Sequence, residues 1–403
     1  MRRFIGLGVL VLMLGGCGGS STRSSSTRPT VTGLTATGGV RLVYRASVLT
    51  PGSPLGPGIE QAMPIMEKRL RALLPTGRFV LRRSRRDLIL VDVPRALDPV
   101  RAAKPIGATA RLEFYDWEAD VVAPDGKTVA SQLQSQDAAA IAISQGSGGA
   151  TGSPGAGSQP LYAAVRLASR QPVQVSSDNA RRGPQFYLFG APGSSACPAA
   201  VHAQGKSVVA GQHCLLSGPE NTQQGLIAGL ASGVTPASPG VEKLTVPQGT
   251  AVVQAVPSSF AKPTPPGDPS AQFFVLHDHV SLFGDNITSP QQSTNSAGSP
   301  DVSFGFTSRG AKAFQSVTAA IARRGNLVSS LGQTLDQHFA VALDNQLITV
   351  PSIAFKTYPD GIPSDSGADI TGGFTISSAQ ELAIQLRFGG LPVQLALISQ
   401  KPF

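Results

Sequence analysis

Hydrophobic periodicity switches between two and about 3.6 residues in the same order at both ends of this chain, and that repetition most limits what it folds into. Val40, Leu42, Tyr44 and Ala46 alternate with Arg41 and Arg45, as a half-buried strand does. Ile59, Ala62, Met63, Met66, Leu70 and Leu73 recur at helical spacing, with Pro64 expected to kink the first turns or delay the start. Arg78–Arg83 and Asp87–Val93 read as two strands across a tight polar turn. Asp98–Lys104 reads as a short helix, and Ala110, Leu112 and Phe114 as a further strand. The order is β-α-β-β-α-β, the split βαβ unit.

The C-terminal third repeats it. Val302, Phe304 and Phe306 alternate, and Ala311, Phe314, Val317 and Ile321 give one helical face. Phe339–Asp344 and Gln346–Phe355 form a hairpin about the turn signal Asp344-Asn345. Ser377 with Gln380 reads as a capping box, the helix ends at Gly389-Gly390, and Val393–Ser399 is the last strand. The expected fold class is α+β: two split-βαβ, ferredoxin-like units over 38–120 and 301–403. Between them, 121–300 is expected to be a loop-rich insertion with room for a small β-rich subdomain. It holds short apolar runs such as Phe186–Phe189 and Phe273–Leu276 between Pro and Gly clusters.

Arg2, Arg3 and the apolar run Phe4–Leu14 open the chain, and Leu14-Gly15-Gly16-Cys17 resembles a bacterial lipobox. That motif implies a signal peptide over 1–16, lipidation of Cys17 and a Ser/Thr/Arg-rich flexible tether over 17–37. An ordinary secretory signal with an incidental Cys is the alternative. More than one acyl chain makes such an anchor stable. No run of 18 or more apolar residues occurs, so a membrane-spanning helix is not expected. Two thiols, Cys197 and Cys214, remain in the mature chain; an oxidising compartment favours a disulfide between them, and free or metal-binding thiols stay open.

At this point the two ends resemble the large extracytoplasmic domain of SecD, an accessory membrane subunit of bacterial protein export. Gly310-Ala311-Lys312-Ala313-Phe314 is similar to the family's "GAKxF" helix, and Leu343–Pro351 to its "LDGxxISAP" hairpin. Ile370-Thr371-Gly372-Gly373-Phe374-Thr375, with Ala379, Leu382-Ala383 and Leu386–Pro392, resembles "ITGNFTxxxAxxLAxxLRAGALP". Arg69-Leu70, Asp98-Pro99 and Leu112-Glu113-Phe114 match more diffusely. Arg95 stands where the family has Gly, Gly373 replaces Asn, and Pro64 enters a helix normally free of it. The resemblance implies a head-and-base domain without the transmembrane helices that follow it in the family, and without proton-driven work of its own.

Motifs of catalysis are absent. His277-Asp278-His279 places two imidazoles on one side of a strand, both expected to face solvent and without a third ligand for zinc. Gly126-Lys127-Thr128 and Gly205-Lys206-Ser207 lack the upstream Gly of a phosphate loop. Neither G-x-S-x-G nor H-E-x-x-H occurs, and Asp344 is read as a turn residue. The chain carries 33 Lys+Arg against 24 Asp+Glu, a net +9. Its densest cations lie between Lys68 and Arg101. For an extracytoplasmic chain, Arg82, Arg83, Arg85 and Arg86 suggest contact with anionic lipid or wall polymer, against the plainer reading of a solvated face. Nucleic acid is not an expected partner, and no cofactor is.

The function expected is a non-catalytic, lipid-anchored domain on the outer face of the cytoplasmic membrane that binds unfolded exported polypeptide and assists export, with translocon subunits as further partners. Phe304, Phe306, Pro351 and Ile353 are the expected polypeptide-binding surface, with core packing as their alternative. The competing function is an envelope scaffold or sensor that keeps the fold without a role in export.

Overall fold

The first strand of the chain pairs with the last. The computed structural model describes residues 38–50, 52–94, 99–135, 137–147, 157–174, 182–197, 212–228, 230, 233–255, 264–329, 335–363 and 365–402. The expected signal peptide, Cys17 and the tether lie outside them. The chain begins β1 (Gly39–Val48), α1 (Leu55–Leu73), β2 (Val80–Arg83), β3 (Leu88–Pro94), α2 (Pro99–Gly107), β4 (Leu112–Asp116) and α3 (Trp117–Asp120). Next come β5 (Val121–Val122), α4 (Val129–Leu133), α5 (Ala138–Ser147), β6 (Gln159–Pro160), α6 (Leu161–Ala168) and β7 (Gln185–Gly190). β8 (Cys214–Glu220), α7 (Gln223–Ala228), β9 (Val241–Val246), β10 (Thr250–Gln254), β11 (Gln272–His277), β12 (Leu282–Phe283) and β13 (Ile287–Thr294) complete the middle. The last third is β14 (Pro300–Phe306), α8 (Ser308–Ser329), β15 (Gln337–Leu343), β16 (Gln346–Thr349), β17 (Ser352–Ile353), β18 (Ala368–Ile370), α9 (Ile376–Phe388) and β19 (Val393–Pro402).

Four strands form an antiparallel base sheet in the order β19-β1-β3-β2. Leu42, Tyr44 and Ala46 of β1 and Ile89, Val91 and Val93 of β3 share the face that α1 and α2 cover. α1 runs unbroken through Pro64, which is exposed; the stripe Ile59, Ala62, Met66 and Leu70 on both sides of it buries enough apolar surface to offset the lost backbone bond. Arg69, fully buried on the same helix, donates from Nη1 to the Ala108 carbonyl at 2.5 Å and from Nη2 to the Gly389 carbonyl at 2.7 Å. It thereby sits at the carbonyl ends of α2 and α9, where a cation is stabilised, although burial lowers its pKa to about 10.

Neither expected unit closes on itself. Leu112–Phe114 do not supply the fourth strand of the base sheet; β4 is buried almost throughout and lies between β12 and β15 in another sheet. Its place is taken by β19, expected in the C-terminal unit. The burial explains the exchange: β4 needs cover on both faces, whereas β19 buries only its beginning and suits an edge. The second sheet follows the path β12-β4-β15-β16-β10-β11-β5, with β17 beside β15 and β6 beside β11. Strands from 38–120, 121–300 and 301–403 thus share it, so those boundaries do not coincide with sheet boundaries, and the middle stretch contributes structure rather than loops alone.

One face of this sheet packs Phe114, Phe339 and Ile348 against Phe304, Phe314 and Leu382. The other packs Tyr115, Trp117 and Leu347 against Val129, Leu133 and Ile143, with the Trp117 ring edge-on to Phe274 at 4.9 Å. β13-β14-β18 and β8-β7-β9 are separate three-stranded sheets. Gly310 is required where α8 starts, because a Cβ there would stand 2.3 Å from the Asn286 carbonyl oxygen. The Asp344-Asn345 turn has φ of 49° and 66°, the left-handed pair that closes a tight hairpin. The cap of α9 is Thr375 with Ser378 and not Ser377 with Gln380: Ser378 N donates to Thr375 Oγ1 at 3.1 Å, and Ser378 Oγ donates to the Thr375 carbonyl oxygen at 3.1 Å.

Cys197 and Cys214 are bonded, 17 residues apart, at the end of the pair where the chain passes from β7 to β8. Closing a loop of that length in the unfolded chain contributes about 3 kcal/mol. Reduction, or the double change Cys197→Ser and Cys214→Ser, is expected to lower the unfolding free energy by about that amount, read from urea titrations with and without reductant.

Candidate functional site

The segment from Arg111 to Asp120 reads RLEFYDWEAD and carries four carboxylates into the interior. Alternation along β4 sends Leu112 and Phe114 to one core and Glu113 and Tyr115 to the opposite face. Asp116 then caps α3, accepting from Ala119 N at 3.4 Å, and that short helix turns Glu118 and Asp120 inward as well. Each carboxylate meets a guanidinium or an imidazole from elsewhere in the chain.

Glu113 is bound by Arg182 Nη2 at 2.5 Å and lies 3.0 Å from Arg111 Nε. Tyr115 Oη lies 3.2 Å from Glu113 Oε2 and 3.0 Å from Asp278 Oδ1, while Arg182 Nε stands 3.6 Å from Asp278. Arg182 Nη1 also donates to Asn345 Oδ1. Burial pushes the Asp278 carboxyl up against the pull of Arg182. Burial pulls Arg182 down, but Glu113, Tyr115 and Asp278 more than offset this and hold it above its ordinary value. Asp116 accepts both Nη groups of Arg324, the Nη1 contact at 2.8 Å, in a bidentate pair. Glu118 accepts from His338 N at 2.9 Å, His338 Nδ1 at 2.7 Å and Ser144 Oγ at 3.0 Å. Ser144 thus faces a carboxylate and not an imidazole.

Asp120 contacts His279 Nδ1 at 3.1 Å, and His279 Nε2 lies 2.7 Å from Gln174 Oε1. Both ring nitrogens face oxygen acceptors, an arrangement that an imidazolium satisfies. Burial pushes the Asp120 carboxyl up to about 7, and the Asp120 contact raises His279. His277 is half-buried rather than facing solvent, which lowers its pKa. Among the described residues no group of three or more His, Cys, Asp or Glu is placed to hold a metal ion.

The expected polypeptide-binding residues are not brought together on a surface. Phe304 and Ile353 are buried in the head core at 6% and 3% exposure. Phe306 is partly buried and stacks on Phe314 at 4.7 Å; Pro351 alone is exposed. The correction follows from packing: alternate residues of β14 face the sheet beneath. Arg82, Arg83, Arg85 and Arg86 are exposed at the β2–β3 hairpin, where Arg83 Nη2 donates to the Arg86 carbonyl at 2.8 Å.

An open feature lies instead on β19. Among the described residues it pairs only with β1, leaving its outer edge without a strand. The register passes from Val43↔Ser399 to Tyr44↔Leu397, so Ile398 is the extra residue of a bulge. Leu397 and Ile398 are each 42% exposed. A cleft of about 270 Å³ lined by Thr109, Arg111, Gln185, Asn221, Asp344 and Gln394 opens beside the start of this strand.

Sequence reasoning missed the ionic cluster and, while unpaired strand edges were expected, did not place the exposed edge on β19. The cluster's signal was four carboxylates within eight residues of a chain with 24 in all, inside an apolar strand pattern. No helix among the described residues is long and apolar enough to cross a membrane.

Residues 259–393 match the family model of the SecDF P1 head subdomain. The protein translocase subunit SecD of Synechocystis sp. is 35% identical over 127 residues, 31% of this chain and 24% of that protein. SecD of Rickettsia bellii is 33% identical over 129 residues, 32% of this chain and 21% of the relative. The chain therefore spans about a quarter or less of the length of the curated relatives it matches. A crystal structure of SecDF in a super-membrane-facing form is similar over 92% of this chain and 31% of that one, at 19% identity and a TM-score of 0.43. A second, described as a membrane component SecDF that enhances protein export, covers 89% of this chain and 98% of that chain at 19% identity and a TM-score of 0.38.

Two outcomes are expected from the ionic cluster. Arg182→Leu leaves Asp278 buried without its cation and Glu113 with Arg111 alone, and lowers stability by about 3–5 kcal/mol; adding Glu113→Gln recovers part of it. Urea unfolding reads both, and a loss under about 1 kcal/mol for the single change removes this pair from the fold's supports. The folded Asp120–His279 pair holds a proton more tightly than its separated members. For Asp120, raised from 3.8 to about 7, the stabilisation is full below pH 3.8 and lost as pH rises to about 7; His279, raised from 6.5, extends the loss above 6.5. Asp120→Asn is expected to flatten the fall of stability between pH 5 and 8, whose slope from one proton is at most about 1.4 kcal/mol per pH unit.

Proposed function

We propose that this chain, whose residues 259–393 are a head domain of the SecD family, serves protein export on the outer side of the cytoplasmic membrane. The match of that segment carries the reading. Cys17 anchors the chain through lipid, and the Cys197–Cys214 bond suits an oxidising compartment. Its clients are extended polypeptides, and the translocon is its neighbour.

The binding element is the free edge of β19. An unpaired strand edge offers alternating N–H and C=O groups that any extended backbone satisfies, which gives sequence-tolerant binding. Leu397 and Ile398, each 42% exposed at the bulge, add apolar contact. The ionic cluster holds the scaffold and does no chemistry.

A photocrosslinking residue at Leu397 or Ile398 of the lipidated protein, with partners identified by mass spectrometry, tests this. Capture of many unrelated exported chains and of translocon subunits is expected there, and not from the exposed control position Val173. Equal yields at all three positions, or one defined envelope protein and no secretory chain, overturn the client-binding reading; the second result favours an envelope scaffold.

A further inference from the structure

Both helices of the base sheet lie on one face, and the register identifies the residues of the other. Directly opposed residues of antiparallel strands share a face. Arg41 opposes Lys401 and Asp92, Val43 opposes Ser399 and Leu90, Arg45 opposes Ala396 and Leu88, and Arg82 opposes Leu90. This set alternates with Leu42, Tyr44, Ala46, Ile89 and Val91, which the helices bury. The second face therefore presents Arg41, Arg45, Arg82 and Lys401 around Val43, Leu88 and Leu90.

The hairpin at its end adds Arg85 and Arg86, both exposed. Carboxylates on the same surface are few. Asp92 is taken by Arg41 at 2.7 Å, and Asp87 stands 3.8 Å from Arg45 with both side chains 44% exposed, a contact that solvent screens. Six cations thus face two carboxylates on a broad sheet surface with a shallow apolar centre.

We infer that this face of the base sheet docks onto an anionic phospholipid bilayer. Charge complementarity over a broad surface favours it: the cations are spread along β1, β2 and β19 and, among the described residues, converge on no concave pocket that a small anion would fill. The length of chain outside the structure permits it. Cys17 lies 22 positions before Gly39, a span of at most about 75 Å when extended, and Arg41 and Lys401 lie near the point where that span enters the sheet. The inference goes beyond the export reading and does not depend on it. With the face on lipid, the free edge of β19 would run alongside the bilayer.

The test uses the full chain carrying Cys17→Ser, so that no acyl chain contributes, and co-sedimentation with vesicles of phosphatidylcholine alone or with 30 mol% phosphatidylglycerol. Binding is expected only to the anionic vesicles and is expected to vanish in high salt. Arg82→Gln, Arg85→Gln and Arg86→Gln together are expected to weaken partitioning about 100-fold, near fivefold per charge, with an unchanged thermal midpoint because all three side chains are exposed. The matched change Arg309→Gln, Lys312→Gln and Arg323→Gln on α8, also exposed, is expected to leave partitioning within about twofold, since charges beyond the Debye length contribute little. Equal losses from the two triple variants, or no binding to anionic vesicles, overturn the inference. Stronger binding to poly(glycerol phosphate) than to vesicles overturns the lipid assignment and transfers the face to a wall polymer.

Discussion

Four carboxylates in the stretch Glu113–Asp120 are the groups that this fold can least leave alone. Glu113, Glu118 and Asp120 are 1%, 0% and 2% exposed, and an unpaired buried charge costs several kcal/mol. Their partners come from Arg182 ahead of β7, His279 just after β11, Arg324 of α8 and His338 of β15. Apolar packing would tolerate several placements of these elements, because dispersion and burial have little directionality. A bidentate guanidinium or an imidazole shared between two acceptors tolerates far fewer. The cluster thus selects one arrangement among those that the cores allow, and it does so at the seam where three stretches of the chain share a sheet.

The base is governed by a different constraint. β1 has β3 on one side, and its other side is closed only by β19, more than 340 positions later in the chain. Arg69 reinforces that closure from within, since its guanidinium reaches both the end of α2 and Gly389, just ahead of β19. The strand that completes the sheet also becomes its edge. Val393 and Leu395 are held by the helices, while Leu397 and Ile398 pass beyond their cover. Among the described residues, the strand that closes the base thus leaves its own outer edge without a strand partner.

Local structure was legible because its causes are local. The alternation in β1, the stripe of α1 and the left-handed turn at Asp344-Asn345 each follow from residues near one another. Gly373, where the SecD family has Asn, sits at φ 46°, a region that both residues tolerate, so the departure leaves the backbone path open. Partner choice was not legible. Leu112 and Phe114 alternate as any edge or central strand would, and only the burial of Glu113 and Tyr115 between them shows that β4 belongs in a sheet interior. The phenylalanines of β14 illustrate the same limit: periodicity gives the side on which Phe304 lies, and α8 together with β15 decides that this side is covered.

The placement of the exposed features then bears on how such a domain works. Had Phe304 and Ile353 formed the client surface, binding would have required opening the aromatic cluster of Phe114, Phe304, Phe306, Phe314 and Phe339, whose neighbouring ring centroids lie 4.7–6.3 Å apart. Burial of that size opposes reversible exposure. An edge strand needs no such opening: strand addition exchanges backbone bonds to water for bonds to the arriving chain at little net cost, so that binding of this kind is weak, fast and indifferent to sequence. Those are the properties that the proposed client-binding role requires, and β19 has them because it ends the base sheet.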